Sequence, residues 1–243
     1  MNTPVYFVSD NHFHFNNQFN ESERREKLFR LFEEIEQTGG TLIIGGDFLD
    51  FWYDYGTDVI QGYEDIFDAL SKLNESGVKI HYVLGNHDFW DFGYFTSKFG
   101  AVVHSDNLDF KLNGEKIQVI HGDGLLKKDS GYRFMKKVIR HPVSIYLFGL
   151  LRRKIGCKLA EYVSSTSRRY NNHEHNTDEL KSEIFEYARN QWNNEVDTVL
   201  IGHYHQTGIE TENKKQLIWM GDWLNLFTVT KLDEAGWSQY TWA

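Results

Sequence analysis

Five short stretches of this chain each place metal-ligating side chains directly after an apolar run. They are Asp10-Asn11-His12, Gly46-Asp47-Phe48-Leu49-Asp50, Gly85-Asn86-His87-Asp88, His121-Gly122-Asp123 and Gly202-His203-Tyr204-His205. Taken singly, an Asp-x-His is ordinarily a turn with a capping aspartate, and Gly-Asn-His-Asp is a plausible turn as well. Together, behind lead-ins such as Val5-Tyr6-Phe7-Val8 and Val199-Leu200-Ile201, they point to strand ends pooling ligands at one sheet edge. Carboxylate, imidazole and amide oxygen without cysteine suit two adjacent divalent cations, Mn²⁺, Fe²⁺ or Zn²⁺ rather than Ca²⁺. The chemistry of such a pair is hydrolysis of a phosphoester.

Two cations roughly 3.5–4 Å apart need a bridging anion to offset their repulsion. Asp47 is the expected bridge, because it directly follows a strand and Gly45-Gly46 lets backbone approach closely. Asp10, His12 and His205 would complete one ion's shell, and Asn86, His121 and His203 the other's. His87 stays off the metals in this scheme. It would donate a hydrogen bond to a phosphoryl oxygen or protonate the leaving group. Asp50 would orient a ligand histidine through its second ring nitrogen. His14, His81, His104 and His141 read as core or surface residues, and His173-Glu174-His175 as a solvated loop.

The elements that must position these residues alternate between strand and helix. Strand Val5–Val8 leads to a helix near 21–37, which Gly39-Gly40 closes. Strand 41–44 ends at Asp47, a helix follows near 63–75, and strand 79–84 carries Asn86, a βαβαβ pattern. Short strands follow near 101–104, 108–112 and 117–120, with Asn113-Gly114 as a hairpin signal. Helical spacing dominates from 130 to 192, expected as a cap inserted into a core of 1–129 and 193–243. Strands near 198–201, 217–220 and 227–231 resume that core.

The 243-residue chain is 40% hydrophobic and 25% charged, the composition of an ordinary globular protein. One cysteine, Cys157, allows no internal disulfide and fits a reducing compartment. No secretory signal precedes Pro4, and the run Val143–Leu151 is too short for a bilayer, which takes about 20 residues. A cytoplasmic protein, monomeric, is the expectation. A net charge of −9 argues against nucleic acid as a partner. Yet between Lys127 and Lys158 ten Lys or Arg face one acid, around an apolar centre. Basic and apolar residues together suit an anionic amphiphile or a membrane surface.

The five stretches resemble the calcineurin-like metallophosphoesterase superfamily, over nearly the whole chain. The resemblance implies an α/β architecture, a four-layer αββα sandwich with an inserted helical cap. Within the superfamily the chain is most similar to the UDP-2,3-diacylglucosamine hydrolases. That likeness rests on Gly46 through Trp52, His121-Gly122-Asp123-Gly124 followed by Asp129, the segment through Ser167-Arg168-Arg169, and Gly221-Asp222-Trp223. It implies cleavage of the pyrophosphate of UDP-2,3-diacylglucosamine to UMP and 2,3-diacylglucosamine 1-phosphate in lipid A biosynthesis. It also implies two Mn²⁺ ions, work at the inner face of the cytoplasmic membrane, and acyl chains held by the cap. By position, Asp129, Ser167 and Arg168 would touch substrate, with Asn86, His87 and His203. Two departures stand out: Asn11 with Phe13-His14-Phe15 in the first motif, and His87 where many of these hydrolases carry arginine.

Two other readings remain open at the level of sequence. One is a phosphodiesterase or phosphatase for a soluble nucleotide or phosphoprotein, which the basic and aromatic cap disfavours. The other is a non-catalytic scaffold, which the intact ligand set disfavours.

Overall fold

Strands buried along their whole length need cover on both faces, and β1 (Val5–Val8), β2 (Thr41–Ile44) and β7 (Thr198–Ile201) are such strands. The computed structural model describes residues 1–16, 20–160 and 177–243. It supplies that cover by stacking two sheets between helical layers. One sheet has the order β11-β10-β1-β2-β3-β4, the other β5-β6-β7-β9-β8. The remaining strands are β3 (Lys79–Val83), β4 (Val102–His104), β5 (Asn107–Leu112), β6 (Glu115–Ile120), β8 (Thr207–Glu212), β9 (Lys215–Met220), β10 (Thr228–Asp233) and β11 (Gly236–Thr241).

Successive side chains of β1 point to opposite faces. Val5 and Phe7 meet Ile117, Leu200 and Ile218 of the second sheet, whereas Tyr6 and Val8 meet α1 (Ser22–Thr38) and its neighbours. Helices α2 (Glu64–Glu75) and α3 (Tyr94–Phe99) complete that outer layer. β1, β2 and β3 pair in parallel, as do β6, β7 and β9. Their carboxyl ends therefore all lie at one edge of the sandwich. The αββα sandwich implied by the resemblance is the architecture observed.

Asn113-Gly114 is the two-residue turn between β5 and β6, with φ of 52° and 86°, the mirror-image turn that hairpin twist favours. An equivalent turn, Asn213-Lys214, joins β8 to β9 and was not legible without a glycine. Strands β8 and β11 went unexpected because neither has a fully buried face to impose an apolar alternation. Helix α3, at six residues, is too short to show a period.

The stretch expected to be cap divides in two. Helices α4 (Ser130–Ile139), α5 (Pro142–Gly149) and α6 (153–160) lie over the strand ends and expose Phe134, Val143, Tyr146, Leu147, Leu150 and Ile155. Helix α7 (Thr177–Asn193), placed in the cap by its sequence, instead packs Leu180, Ile184, Ala188 and Trp192 on Val199, Ile201, Leu217 and Trp219. It is the outer layer of the second sheet. Its apolar stripe looks the same from sequence whichever surface it covers.

Cap and core meet on an aromatic ledge from the β2–α2 loop. Tyr53 Oη donates to Ile145 O at 2.7 Å, and the Phe148 ring lies 5.0 Å from Tyr53 and 6.3 Å from Phe51. A Cβ on Gly149 would stand 2.6 Å from Tyr53 Oη, so the helix sits this close only with glycine there. Because α7 belongs to the core, Ile184→Ala, at a fully buried position, is expected to lower global stability by ~2–5 kcal/mol in urea unfolding. A change below about 0.5 kcal/mol would return α7 to the periphery.

Candidate metal centre

Each ligand motif begins where a parallel strand runs out: Asp10 after β1, Asp47 after β2, Asn86 after β3, His121 after β6, His203 after β7. Crevices outside the carboxyl ends of parallel strands are the usual ligand sites of such sheets. The loops are laced to one another by backbone bonds, Asp10 N to Gly46 O at 3.0 Å and His12 N to Asp47 O at 2.9 Å. Asp88, fully buried, ties the β3 loop to the β2 loop by accepting from Gly85 N, Phe48 N and the Tyr82 hydroxyl. Burial, with Asp47 nearby, pushes its carboxyl up to about 6.

Asp10, His12, Asp47, His203 and His205 all adopt left-handed backbone, with φ between 45° and 65°. Non-glycine residues rarely do so, and such strain clusters where the surroundings demand a particular side-chain direction. The glycines beside the ligands answer to crowding. A Cβ on Gly85 would fall on Asp47 Oδ1, and one on Gly202 would stand 2.7 Å from Asp10 Oδ2.

These constraints bring three ligand groups together: Asp10-His12-His205, His12-Asp47-His87 and Asp47-His121-His203. Asp47 Oδ2 lies 3.8 Å from His12 Nε2 and 3.2 Å from His121 Nε2, between the two imidazole clusters. Asn86 Oδ1 is 3.1 Å from His121 Nε2. All seven expected ligands thus share one site, with Asp47 where a bridge would stand. His87 Nε2 also approaches Asp47 Oδ2, at 3.9 Å.

The donor set fits divalent cations. Asp10 is fully buried, and its Oδ2 accepts from Ser9 Oγ and His203 N, yet Oδ1 has no hydrogen-bond partner. That oxygen faces His12 Nε2 at 3.9 Å and His205 Nε2 at 3.8 Å. A buried carboxylate oxygen left open among imidazoles is costly unless a cation satisfies it.

Ring nitrogens are oriented as ligands require. His121 Nδ1 donates to Gly45 O at 3.1 Å, and His205 Nδ1 to Asp222 Oδ2 at 3.2 Å, leaving each Nε2 for the site. Asp222 is itself fixed by Leu224 N, Asn225 N and Leu226 N; against burial, the His205 hydrogen bond and then those from Asn225 and Leu226 hold its carboxyl down at about 2. Its role had no assignment from sequence, where Gly221-Asp222-Trp223 served only as a family resemblance. Asp50 makes more contacts than expected. Its backbone carbonyl accepts from His87 Nδ1 at 2.6 Å, and its carboxylate lies 3.2 Å from His14 Nδ1 as well as 3.8 Å from Nδ1 of the expected ligand His12.

Burial and repulsion from His121 hold His203 down at about 3, and burial with His87 holds His12 well below the usual range. Both are neutral, as ligands must be. Burial also opposes charge on His121, but Asp47 and Asp10 outweigh it and raise that ring to about 10. His87 is raised too, Asp47 and Asp50 overcoming burial, so it can donate from Nε2.

The remaining residues expected at the substrate separate. Asp129 accepts from Leu126 N at the start of a 3-10 turn, Lys127–Asp129. Ser167 and Arg168 lie outside the described residues. Beside Asn86 and His87 opens a cavity of about 410 Å³ walled by Phe51, Trp90, Met135, Ile139, Phe148 and Leu159. It is chiefly apolar and runs under the cap.

Cation binding must displace the His121 proton, so Mn²⁺ affinity is expected to rise with pH, by up to about tenfold per unit per proton displaced. Calorimetry in buffers of differing ionisation enthalpy would detect the released proton, and an affinity flat from pH 6 to 8 would contradict this electrostatic account. Asp222→Ala, which frees the His205 ring, is expected to weaken metal binding about 10–100-fold.

Comparison with known proteins agrees with this geometry. A UDP-2,3-diacylglucosamine hydrolase of Porphyromonas gingivalis is 26% identical over 92% of both chains. One from Pseudomonas syringae pv. tomato is 31% identical over 82% of both, and one from Stutzerimonas stutzeri 30% identical over 91% of this chain and 95% of that one. The calcineurin-like phosphoesterase family profile matches residues 3–207, and the chain belongs to that family, a metal-dependent phosphoesterase.

Proposed function

We propose that the chain hydrolyses the pyrophosphate of UDP-2,3-diacylglucosamine to UMP and 2,3-diacylglucosamine 1-phosphate, a step of lipid A biosynthesis. The observation that carries this reading is the apolar cavity opening beside Asn86 and His87. A small polar phosphoester needs no such chamber. An acylated sugar phosphate does, because its chains must leave water while its phosphate stays with the ligands. At about 410 Å³ the cavity lies within the roughly 300–1,000 Å³ of small-molecule sites. The names of the relatives support the same substrate.

Asp10, His12, Asp47 and His205 would hold one cation, and Asp47, Asn86, His121 and His203 the other; the mixed oxygen and nitrogen donors suit Mn²⁺, Fe²⁺ or Zn²⁺, and the resemblance favours Mn²⁺. Bound cations supply Lewis-acid polarisation of the phosphoryl oxygens and ionise water at neutral pH. The protein's own groups do the rest. His87, steered by the Asp50 carbonyl, presents Nε2 to the phosphoryl group and stabilises charge as it builds there. The apolar walls hold the acyl chains and exclude water from one side of the reaction. Helices α4 to α6 act as the cap. Its exposed Phe134, Tyr146, Leu147 and Leu150, among basic residues, support contact with an anionic membrane surface from the cytoplasmic side. Among the described residues no helix is long and apolar enough to cross a membrane.

With Mn²⁺ and detergent, the folded protein is expected to release UMP from UDP-2,3-diacylglucosamine; no UMP from folded, metal-loaded protein would end this reading. Met135→Glu, a charge in the chamber wall, is expected to lower preference for the diacyl substrate over a water-soluble phosphodiester by about tenfold or more, from ~1–3 kcal/mol of lost apolar binding. Equal effects on the two substrates would argue for the soluble-ester alternative.

A further inference from the structure

Helix α4 is a partition with two unlike faces. Tyr132, Met135 and Ile139, at spacings of three and four, line the apolar chamber. Lys136 and Arg140, one position further round, line a second cavity of about 360 Å³, walled also by Ser105, Asp106 and Gln191. The second cavity reaches the metal centre at His121, Gly122 and Asp123. The two chambers therefore meet at the 3.1 Å contact between Asn86 and His121.

The basic residues of the second cavity differ in their engagement. Lys136 is paired with Asp123 at 2.7 Å, and Tyr132 Oη also donates to that carboxylate, at 2.6 Å. Arg140 has no carboxylate partner among the described residues. Its guanidinium lies 3.6 Å from the Phe89 ring centre and gives Nη2 to Gly85 O at 3.2 Å. Among the described residues this leaves guanidinium donors without an acceptor, in a half-buried position where Asp123 and Asp106 supply negative charge from a distance. A planar guanidinium fixed in place with donors to spare matches a phosphate.

Resting on the proposed pyrophosphate substrate, we propose that this second cavity holds the nucleotide half, with Arg140 binding the uridylyl phosphate. The substrate would then straddle the metal centre, its acylated sugar phosphate on one side of α4 and its nucleoside on the other. The scissile bond falls at the junction. Gln191 at the cavity wall offers an amide to the edge of a pyrimidine base.

Binding of UMP and, separately, of 2,3-diacylglucosamine 1-phosphate to the Mn²⁺-loaded protein, measured by calorimetry, tests the assignment. Arg140→Met is expected to weaken UMP by about tenfold or more, the loss of one charge-assisted contact, and to leave the lipid product's affinity in place. Ser105→Trp, a plug at the exposed rim that disturbs no core contact, should do the same. Loss confined to the lipid product, or UMP affinity intact in both variants, overturns the assignment. So does loss of both affinities in Arg140→Met with UMP binding intact in Ser105→Trp. Wild-type protein that turns over no UDP-2,3-diacylglucosamine would instead defeat the underlying reading of the substrate, a distinguishable failure.

Discussion

The structure depends on one buried carboxylate serving two imidazole clusters at once. Asp47 Oδ2 is within 4 Å of His12, His87 and His121, which arrive from three different strands of both sheets. For that to happen the strand ends must approach until almost nothing separates them. Hence a glycine stands beside the crowded ligands at 46, 85 and 202, where a methyl group would strike His121, Asp47 or Asp10. Hence also the left-handed backbone at five ligand positions, each turning a side chain inward immediately after an extended strand. Strain of this kind persists only if the surroundings over-determine it. The Asp88 carboxylate, with four hydrogen bonds across two loops, is a large part of what does so.

Much of this was legible in the sequence because strand ends and ligand residues coincide. An apolar run followed by glycine and aspartate states both where the strand stops and what it delivers, so the sandwich and seven candidate ligands could be read together. What escaped was whatever depends on direction rather than type. Asp50 stands opposite His12 Nδ1 by its carboxylate, as expected, but its shorter contacts, carboxylate to His14 and main-chain carbonyl to His87, are set by direction and do not show in residue type. Asp222 meets the His205 ring from the end of β9, because β9 pairs with β7 and so ends beside His205. Sheet order decides that, and sequence does not print sheet order. The apolar stripe of α7 has the same ambiguity. A helix that covers a sheet and one that covers a substrate carry the same pattern.

Helices α4 and α5 illustrate how mostly exposed helices are held with no buried side chain of their own. None of the residues of α4 or α5 is buried, and the apolar surface they share is turned to the chamber, the ledge and solvent. Their position rests on a few specific contacts: Tyr53 to Ile145, the Phe148 ring on the ledge, Arg153 to Asp58, and the glycines that let α5 and α6 approach Tyr53 and Tyr55. Such an arrangement opens at lower free energy than the sandwich does, as segments with few buried apolar contacts generally do. A chamber that admits two acyl chains, as the proposed substrate requires, would benefit from walls that part without unfolding the core.

Placing that chamber against a charged centre also affects the chemistry. Field lines from a cation spread through low-dielectric walls rather than through water, so charges at the junction interact more strongly than they would in an open cleft. His87 is the side chain most exposed to this effect. It lines the apolar cavity, lies 21% exposed, and is already drawn toward its charged form by Asp47 and Asp50. With the proposed substrate, an acyl chain seated against it would remove the remaining water from that side and strengthen the hydrogen bond it would give to phosphate. On that reading, filling the apolar chamber and stabilising charge at phosphorus would be physically coupled through one ring. A water-soluble ester, leaving the chamber wet, forgoes that coupling even when its phosphate reaches the same ligands.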